Sequence, residues 1–151
     1  MNYLDTSALI KRYIDETGSE ESRTWIKVSQ TKATSLITRA EMAAGLTRLL
    51  RMNVLTRADY SRAIQEFRTD WIDYRRLAMT EQLVARADRL ACEFGLRGYD
   101  AVHLAAALTW QENLNFPVTL ATFDRGLANA ARQSGLAVLP EELEAEWQRL
   151  Q

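Results

Sequence analysis

The chain has 151 residues, 47% of them hydrophobic and 26% charged, with a formal net charge of −1. The length suits one compact domain, expected over residues 1–151, and the apolar content excludes a disordered chain. The near-balance of charge excludes a protein that coats nucleic acid by charge alone, though not one that binds it locally.

The first predicted element is a strand at Asn2–Leu4, which runs directly into Asp5 and two hydroxyl residues, Thr6 and Ser7. A second strand is predicted at 33–36. It is followed by a helix in "TRAEMAAGLTRLLRM" with Met42, Leu46, Leu49 and Leu50 on one face. Thr56 is a candidate N-cap for the next helix, whose apolar stripe is Tyr60, Ile64, Phe67 and Trp71. A third strand is predicted at about 77–79. Then "QLVARADRLACEFGL" places Leu83, Val84, Ala87, Leu90, Ala91 and Phe94 on one stripe. Cys92, the only cysteine, lies in that pattern and is expected to be a buried small hydrophobe. With no partner for a disulfide it suits a reducing compartment. The helix "YDAVHLAAAL" follows, with strands at 118–121 and Ala137–Leu139 closing the pattern. The run "AVHLAAALTW" is too short to span a membrane. No signal peptide is visible, because Asp5 interrupts the N-terminus, so the expected location is the cytoplasm. Pro117 and Pro140, the only prolines, both lie late, and no linker or repeat marks a boundary. Short apolar strands separated by helices predict an α/β protein, a three-layer α/β/α sandwich around a central, mainly parallel sheet.

Four carboxylates fall after a strand or in the first turn of a helix: Asp5, Glu41, Asp100 and Asp124. Each alone reads as a helix cap, and Thr38 and Glu41 have the spacing of a capping box. Together they read differently. The carboxyl ends of parallel strands share one edge, where ligands bind, and three of the four acids come off that edge. Asp100 has no strand before it, so sequence alone does not bring it there. Two carboxylates ~5 Å apart at an effective dielectric of ~20 repel by roughly 3 kcal/mol. A cluster of four therefore needs retained protons or a divalent cation. All-oxygen ligands without a histidine or cysteine cluster suit Mg²⁺ or Mn²⁺, not Zn²⁺.

The segments "YLDTSALIKRY", "SLITRAEMAAGL", "GYDAVHLAAAL" and "LATFDRGLANAA" resemble, in order, the four signature segments of the PIN-domain nucleases, and most closely the VapC toxins of bacterial toxin–antitoxin pairs. The resemblance covers essentially the whole chain. It implies a metal site of Asp5, Glu41, Asp100 and Asp124, with Ser7 and Thr122 as hydroxyl groups that hold the carboxylates by hydrogen bonds. It also implies Mg²⁺-dependent endonucleolytic cleavage of RNA, with Mn²⁺ as a substitute, by water activated at the metal. Asp5 and Asp100 are expected as direct ligands. Asp124 would act through water or at a second ion, and Glu41 as a ligand or as the group that orients water.

An acidic site must still accept a polyanion, and Lys11, Arg12, Arg39, Arg97 and Arg125 are candidate RNA contacts, weighed against plain solvated charge. Selectivity is expected to rest on RNA shape, with single-stranded or flipped nucleotides of a structured target, such as transfer or ribosomal RNA, reaching the metal. His103, the only histidine, reads as a helix residue packing or hydrogen-bonding near the site rather than as a base. Trp25, Trp71, Trp110 and Trp147 read as core or interface. The resemblance further implies a VapB-like antitoxin and a homodimer, and the apolar face of residues 56–74 is a candidate surface for either. Two other readings stand beside it. An aspartyl-phosphate enzyme is disfavoured by Ser7, where dehalogenase-like phosphatases carry a second aspartate, and by the lack of any lysine after Lys32, which response regulators need. A catalytically inactive module that only grips RNA or a partner is disfavoured by the intact acids.

Overall fold

The computed structural model describes residues 1–141. Its frame is a five-stranded sheet of β1 (Asn2–Leu4), β2 (Lys32–Ser35), β3 (Arg75–Leu77), β4 (Thr119–Ala121) and β5 (Ala137–Leu139). The strand order is β3-β2-β1-β4-β5 and every pairing is parallel. Tyr3 lies between Ala33 on β2 and Leu120 on β4, and Leu120 in turn pairs with Val138 on β5.

Successive strand residues point to opposite faces, so neighbouring apolar residues of one strand feed two cores. Tyr3, Ala33, Leu120 and Val138 join the core built with α5 (Glu81–Phe94), α6 (Gly98–Leu114) and α7 (Arg125–Gln133). Leu4 and Ala121 join the other, with α1 (Thr6–Ile10), α2 (Ser19–Val28), α3 (Thr38–Arg51), α4 (Arg57–Asp70) and a short 3₁₀ turn at Trp71–Asp73. The result is the three-layer sandwich expected from the sequence. Helix α6 is buried almost all round, from Ala101 to Leu108, as its unbroken apolar run requires. Among the described residues no helix is long and apolar enough to cross a membrane.

Thr56 caps α4 as expected, accepting the Asp59 N–H. Other expectations need correction. The third strand begins two residues earlier than predicted, because β3 is an edge strand whose first two residues are exposed arginines, Arg75 and Arg76. Charge on an edge discourages pairing with another chain, but it also hides a strand from an apolar pattern. Cys92 is exposed: α5 buries Leu83, Ala87 and Leu90, and Cys92 falls off that stripe. The apolar face of residues 56–74 packs inward, with Ile64, Phe67 and Trp71 in the chain's own core, and so does not offer itself to a partner. Trp71 and Trp110 are buried, Trp25 is stacked on Phe123 at 5.5 Å, and Trp147 lies outside the described residues.

The Phe123 ring holds the loop after β4 against the start of α2. Gly18, at φ +85°, precedes α2, and a Cβ there would come within 2.6 Å of the ring. Both the left-handed backbone and the close approach demand glycine. Gly18→Ala is expected to cost ~1–3 kcal/mol of stability. Urea unfolding checks this, and an unchanged midpoint would mean that the loop is not held in this way.

Candidate active site

The chain order runs β1, β2, β3 to one side of the sheet and then crosses to β4 on the other side of β1. The crevice between the carboxyl ends of β1 and β4 is therefore a topological switch point. Asp5 follows β1 directly, and Asp124 lies three residues beyond β4. Glu41 sits in the first turn of α3, which leaves the end of β2. Asp100 arrives by another route. Helices α5 and α6 form a hairpin through Gly95, which is left-handed at φ 66°, with Arg86 bonded across to Thr109 and Glu112. The hairpin returns the chain to the carboxyl edge before α6 begins, so Asp100, in its first turn, needs no strand before it. All four acids line one cleft of about 530 Å³, together with Thr6, Ser7, Arg48, Arg97, Tyr99 and His103.

Asp5 is the buried member, at 3% exposure. Its carboxylate accepts the Ala8 N–H at 2.8 Å, the Ser7 hydroxyl at 2.8 and 2.9 Å, and the Thr122 hydroxyl at 2.7 Å. Each hydroxyl also accepts from the loop after β4: Ser7 from the Phe123 N–H at 2.8 Å and Thr122 from the Asp124 N–H at 3.0 Å. Asp5 thus caps α1 and also ties β1 to β4. Burial pushes its carboxyl above the ordinary value, against these hydrogen bonds.

Glu41 is held from both sides. Thr6 donates to its Oε2 at 2.6 Å, and His103 Nε2 stands 2.8 Å from the same oxygen. Burial raises its carboxyl, but the hydrogen bonds from His103 and Thr6 outweigh that and hold it below the ordinary range. The expected capping box does not form. Ile37 stands at the N-cap of α3 without a side-chain bond, and the Thr38 hydroxyl turns to Thr34 at 2.7 Å, which leaves Glu41 free of capping work.

Asp100 and Asp124 share a cation from the chain itself. Arg97 donates through Nε to Asp100 at 2.9 Å and through an Nη to Asp124 at 2.7 Å. Asp124 also caps α7, accepting the Leu127 N–H at 2.8 Å. Burial raises the Asp100 carboxyl; Arg97 opposes the shift and the like charge of Asp124 adds to it. Of the other expected basic residues, Lys11 is tied to Glu16 and the Thr17 carbonyl and lies over the Phe123 ring, and Arg12 pairs with Asp70. Arg39 and Arg125 are exposed beyond the cleft lining.

The donor set fits a hard divalent cation in kind: carboxylate and hydroxyl oxygens, with the one histidine already engaged. As the side chains stand, no three of the His, Cys, Asp and Glu groups among the described residues come together to hold an ion. Arg97 occupies two of the carboxylates. Its side chain is 79% exposed, so release to solvent costs little.

Sequence reasoning missed Tyr3, Thr6, Arg48 and Tyr99. Arg48 follows Glu41 by seven residues on the same face of α3, and that spacing was a usable signal. Tyr99, 58% exposed beside Asp100, was visible as an aromatic next to a site acid. Tyr3 reads as one more apolar strand residue, and nothing local marks it.

A family model described as "PIN domain" matches residues 3–133. The chain is 30% identical over 142 residues to Ribonuclease VapC45 of Mycobacterium tuberculosis, covering 94% of this chain and 96% of that protein. It is 32% identical over 139 residues to Ribonuclease VapC47 of the same organism, covering 89% and 93%. Among solved structures it resembles that of FitAB bound to an IR36 DNA fragment, with a TM-score of 0.63, 26% identity, and 92% and 94% of the two chains covered.

Thr122→Val removes one donor to a buried carboxylate without changing side-chain shape, which should cost ~1–3 kcal/mol at pH 8. The Asp5 pKa is raised on folding, so the folded protein binds the extra proton and Asp5 lowers stability as pH rises through that window. Losing Thr122 raises it further. The deficit relative to wild type should therefore be full above the window and shrink as pH falls below it. Urea midpoints from pH 8 to pH 4 test this, and a constant deficit would place the effect of Thr122 elsewhere.

Proposed function

The chain belongs to the PIN-domain family, in its VapC branch, and we propose that it is a Mg²⁺-dependent endoribonuclease acting as the toxin of a toxin–antitoxin pair. The observation that carries this reading is the gathering of Asp5, Glu41, Asp100 and Asp124 around one cleft at the switch point of the sheet. The printed names of its VapC relatives are those of ribonucleases, which supports the same reaction class.

The chain's own residues divide the work. Asp5 and Asp100 would be the direct ligands of a divalent cation, Asp124 would complete the set through water or at a second ion, and Glu41 would be a ligand or aim the attacking water. Bound Mg²⁺ would supply the charge that activates water and stabilises the scissile phosphate, and Mn²⁺ would serve in its place. Ser7 and Thr122 fix the Asp5 carboxylate through bonds anchored to the loop 122–124. Arg97 would leave its two carboxylates to a bound cation and, with Arg48 at the same cleft, would then meet phosphate. The exposed Tyr99 ring offers a stacking surface to a splayed nucleotide. The substrate is accordingly a structured RNA with an accessible single-stranded stretch, of the transfer or ribosomal kind. A VapB-like antitoxin, a homodimeric state and a cytoplasmic site of action belong to the same proposal. A module that only binds RNA would keep the bridge made by Arg97 and show no turnover.

Incubation of antitoxin-free protein with total cellular RNA tests the reading. Discrete fragments are expected with Mg²⁺ or Mn²⁺ and none with EDTA. Asp5→Asn and Asp100→Asn should each lower the rate roughly 100-fold or more. The product ends should be 5′-phosphate and 3′-hydroxyl. Folded protein that cuts nothing in either metal, or ends carrying a 2′,3′-cyclic phosphate, would overturn the reaction.

A further inference from the structure

One buried chain of polar groups reaches the cleft from inside the sheet. Tyr3 is fully buried in β1, and His103, at 2% exposure, lies one turn into α6. The phenol oxygen of Tyr3 stands 2.9 Å from His103 Nδ1, with the two rings edge to face at 5.8 Å and 71°. On the other side of the imidazole, Nε2 stands 2.8 Å from Glu41 Oε2.

The partners settle where the ring proton sits. A phenol carries one proton, and Nδ1 is the acceptor within its reach. On the far side stands a carboxylate oxygen, which only accepts, so an unprotonated Nε2 would set two lone pairs against each other at 2.8 Å. Nε2 therefore holds the proton and donates it to Glu41. Thr6 donates to the same Oε2 at 2.6 Å, and neither bond uses Oε1. A carboxylate pinned by two donors on one oxygen keeps its plane and presents the other.

We propose that Tyr3 and His103 are positioning residues for Glu41: the phenol, bonded at Nδ1, anchors the imidazole, and its Nε2–H, with Thr6, fixes the carboxylate so that Oε1 addresses the reaction centre. His103 is then neither a metal ligand nor a base. This rests on the nuclease reading above for what Glu41 does, while the proton assignment can be read without turnover.

His103 is the only histidine, so a tag-free ¹⁵N-labelled sample holds a single imidazole to observe. In metal-free protein at pH 8, the wild type should show a proton-bearing Nε2 and a bare Nδ1. Tyr3→Phe, which removes one oxygen and keeps the ring, should keep the proton on Nε2, where Glu41 still accepts it, but shift the Nδ1 resonance as that nitrogen loses its hydrogen bond. In the RNA assay, His103→Leu should lower kcat about 10- to 100-fold with KM for RNA unchanged, the size of effect seen when a group orienting a catalytic ligand is lost. His103→Gln, whose amide can still donate to Glu41, should recover most of it, and thermal unfolding confirms that each variant is folded. A proton on Nδ1 in the wild type overturns the proposal, as does a folded Tyr3→Phe protein that keeps the wild-type imidazole spectrum. An active wild type whose His103→Leu variant keeps full kcat overturns the relay and leaves the nuclease standing. A wild type that shows the Nε2–H form and cuts no RNA overturns the nuclease reading and, with it, the role of Glu41.

Discussion

The carboxylate of Asp5 is the constraint on which the site depends. It lies in the protein interior and would carry a large penalty there without donors. Three donors meet it: one backbone N–H from α1 and two hydroxyls. Those hydroxyls are themselves oriented by the backbone of residues 123 and 124. The cost of burying one acid is thus offset by a network that locks the end of β1 to the end of β4. The capping role and the functional role are not alternatives here. The cap orients the acid, and the burial that makes it costly raises its pKa.

The other three acids are satisfied in ways that differ in rigidity. Glu41 is held by Thr6, half-buried at the cleft, and by a buried imidazole that cannot leave without disturbing the core. Asp100 and Asp124 are held by Arg97, whose side chain is largely in solvent. The two like charges repel, so this pair calls for a retained proton or a positive partner. Arg97 supplies it in the structure, and a divalent ion would supply more of it at one point. The site therefore has a firm half, Asp5 and Glu41, and an adjustable half, Asp100 and Asp124. In the proposed reaction, metal entry and RNA approach would both act on the adjustable half.

Much of this was legible in the sequence because it is written in local pattern. Three-residue apolar strands between amphipathic helices gave the sandwich, and acids after the strands marked the carboxyl edge. What was hidden lies in contacts of high sequence separation. The bond from Tyr3 to His103 spans 100 residues, and that from His103 to Glu41 spans 62. Asp100 reached the edge through a helix hairpin that no strand pattern announces. Local rules also misled where tertiary demands won. Thr38 and Glu41 have capping-box spacing, yet Thr38 bonds Thr34 on the preceding strand and Glu41 bonds Thr6 and His103 across the fold. Arg75 and Arg76 belong to a strand, yet its edge position favours charge over apolarity. Cys92 sits within an apolar stretch but on the outward side of its helix.

The central claim is that the four carboxylates act as one cation site once Arg97 gives way. Crystals grown or soaked with Mn²⁺ test it most directly, through the anomalous signal of the ion. The account predicts a peak within the cleft, contacted by Asp5 and Asp100, with Arg97 turned away from both of its carboxylates. A cleft with no peak at saturating Mn²⁺, and Arg97 still bridging Asp100 and Asp124, would contradict it.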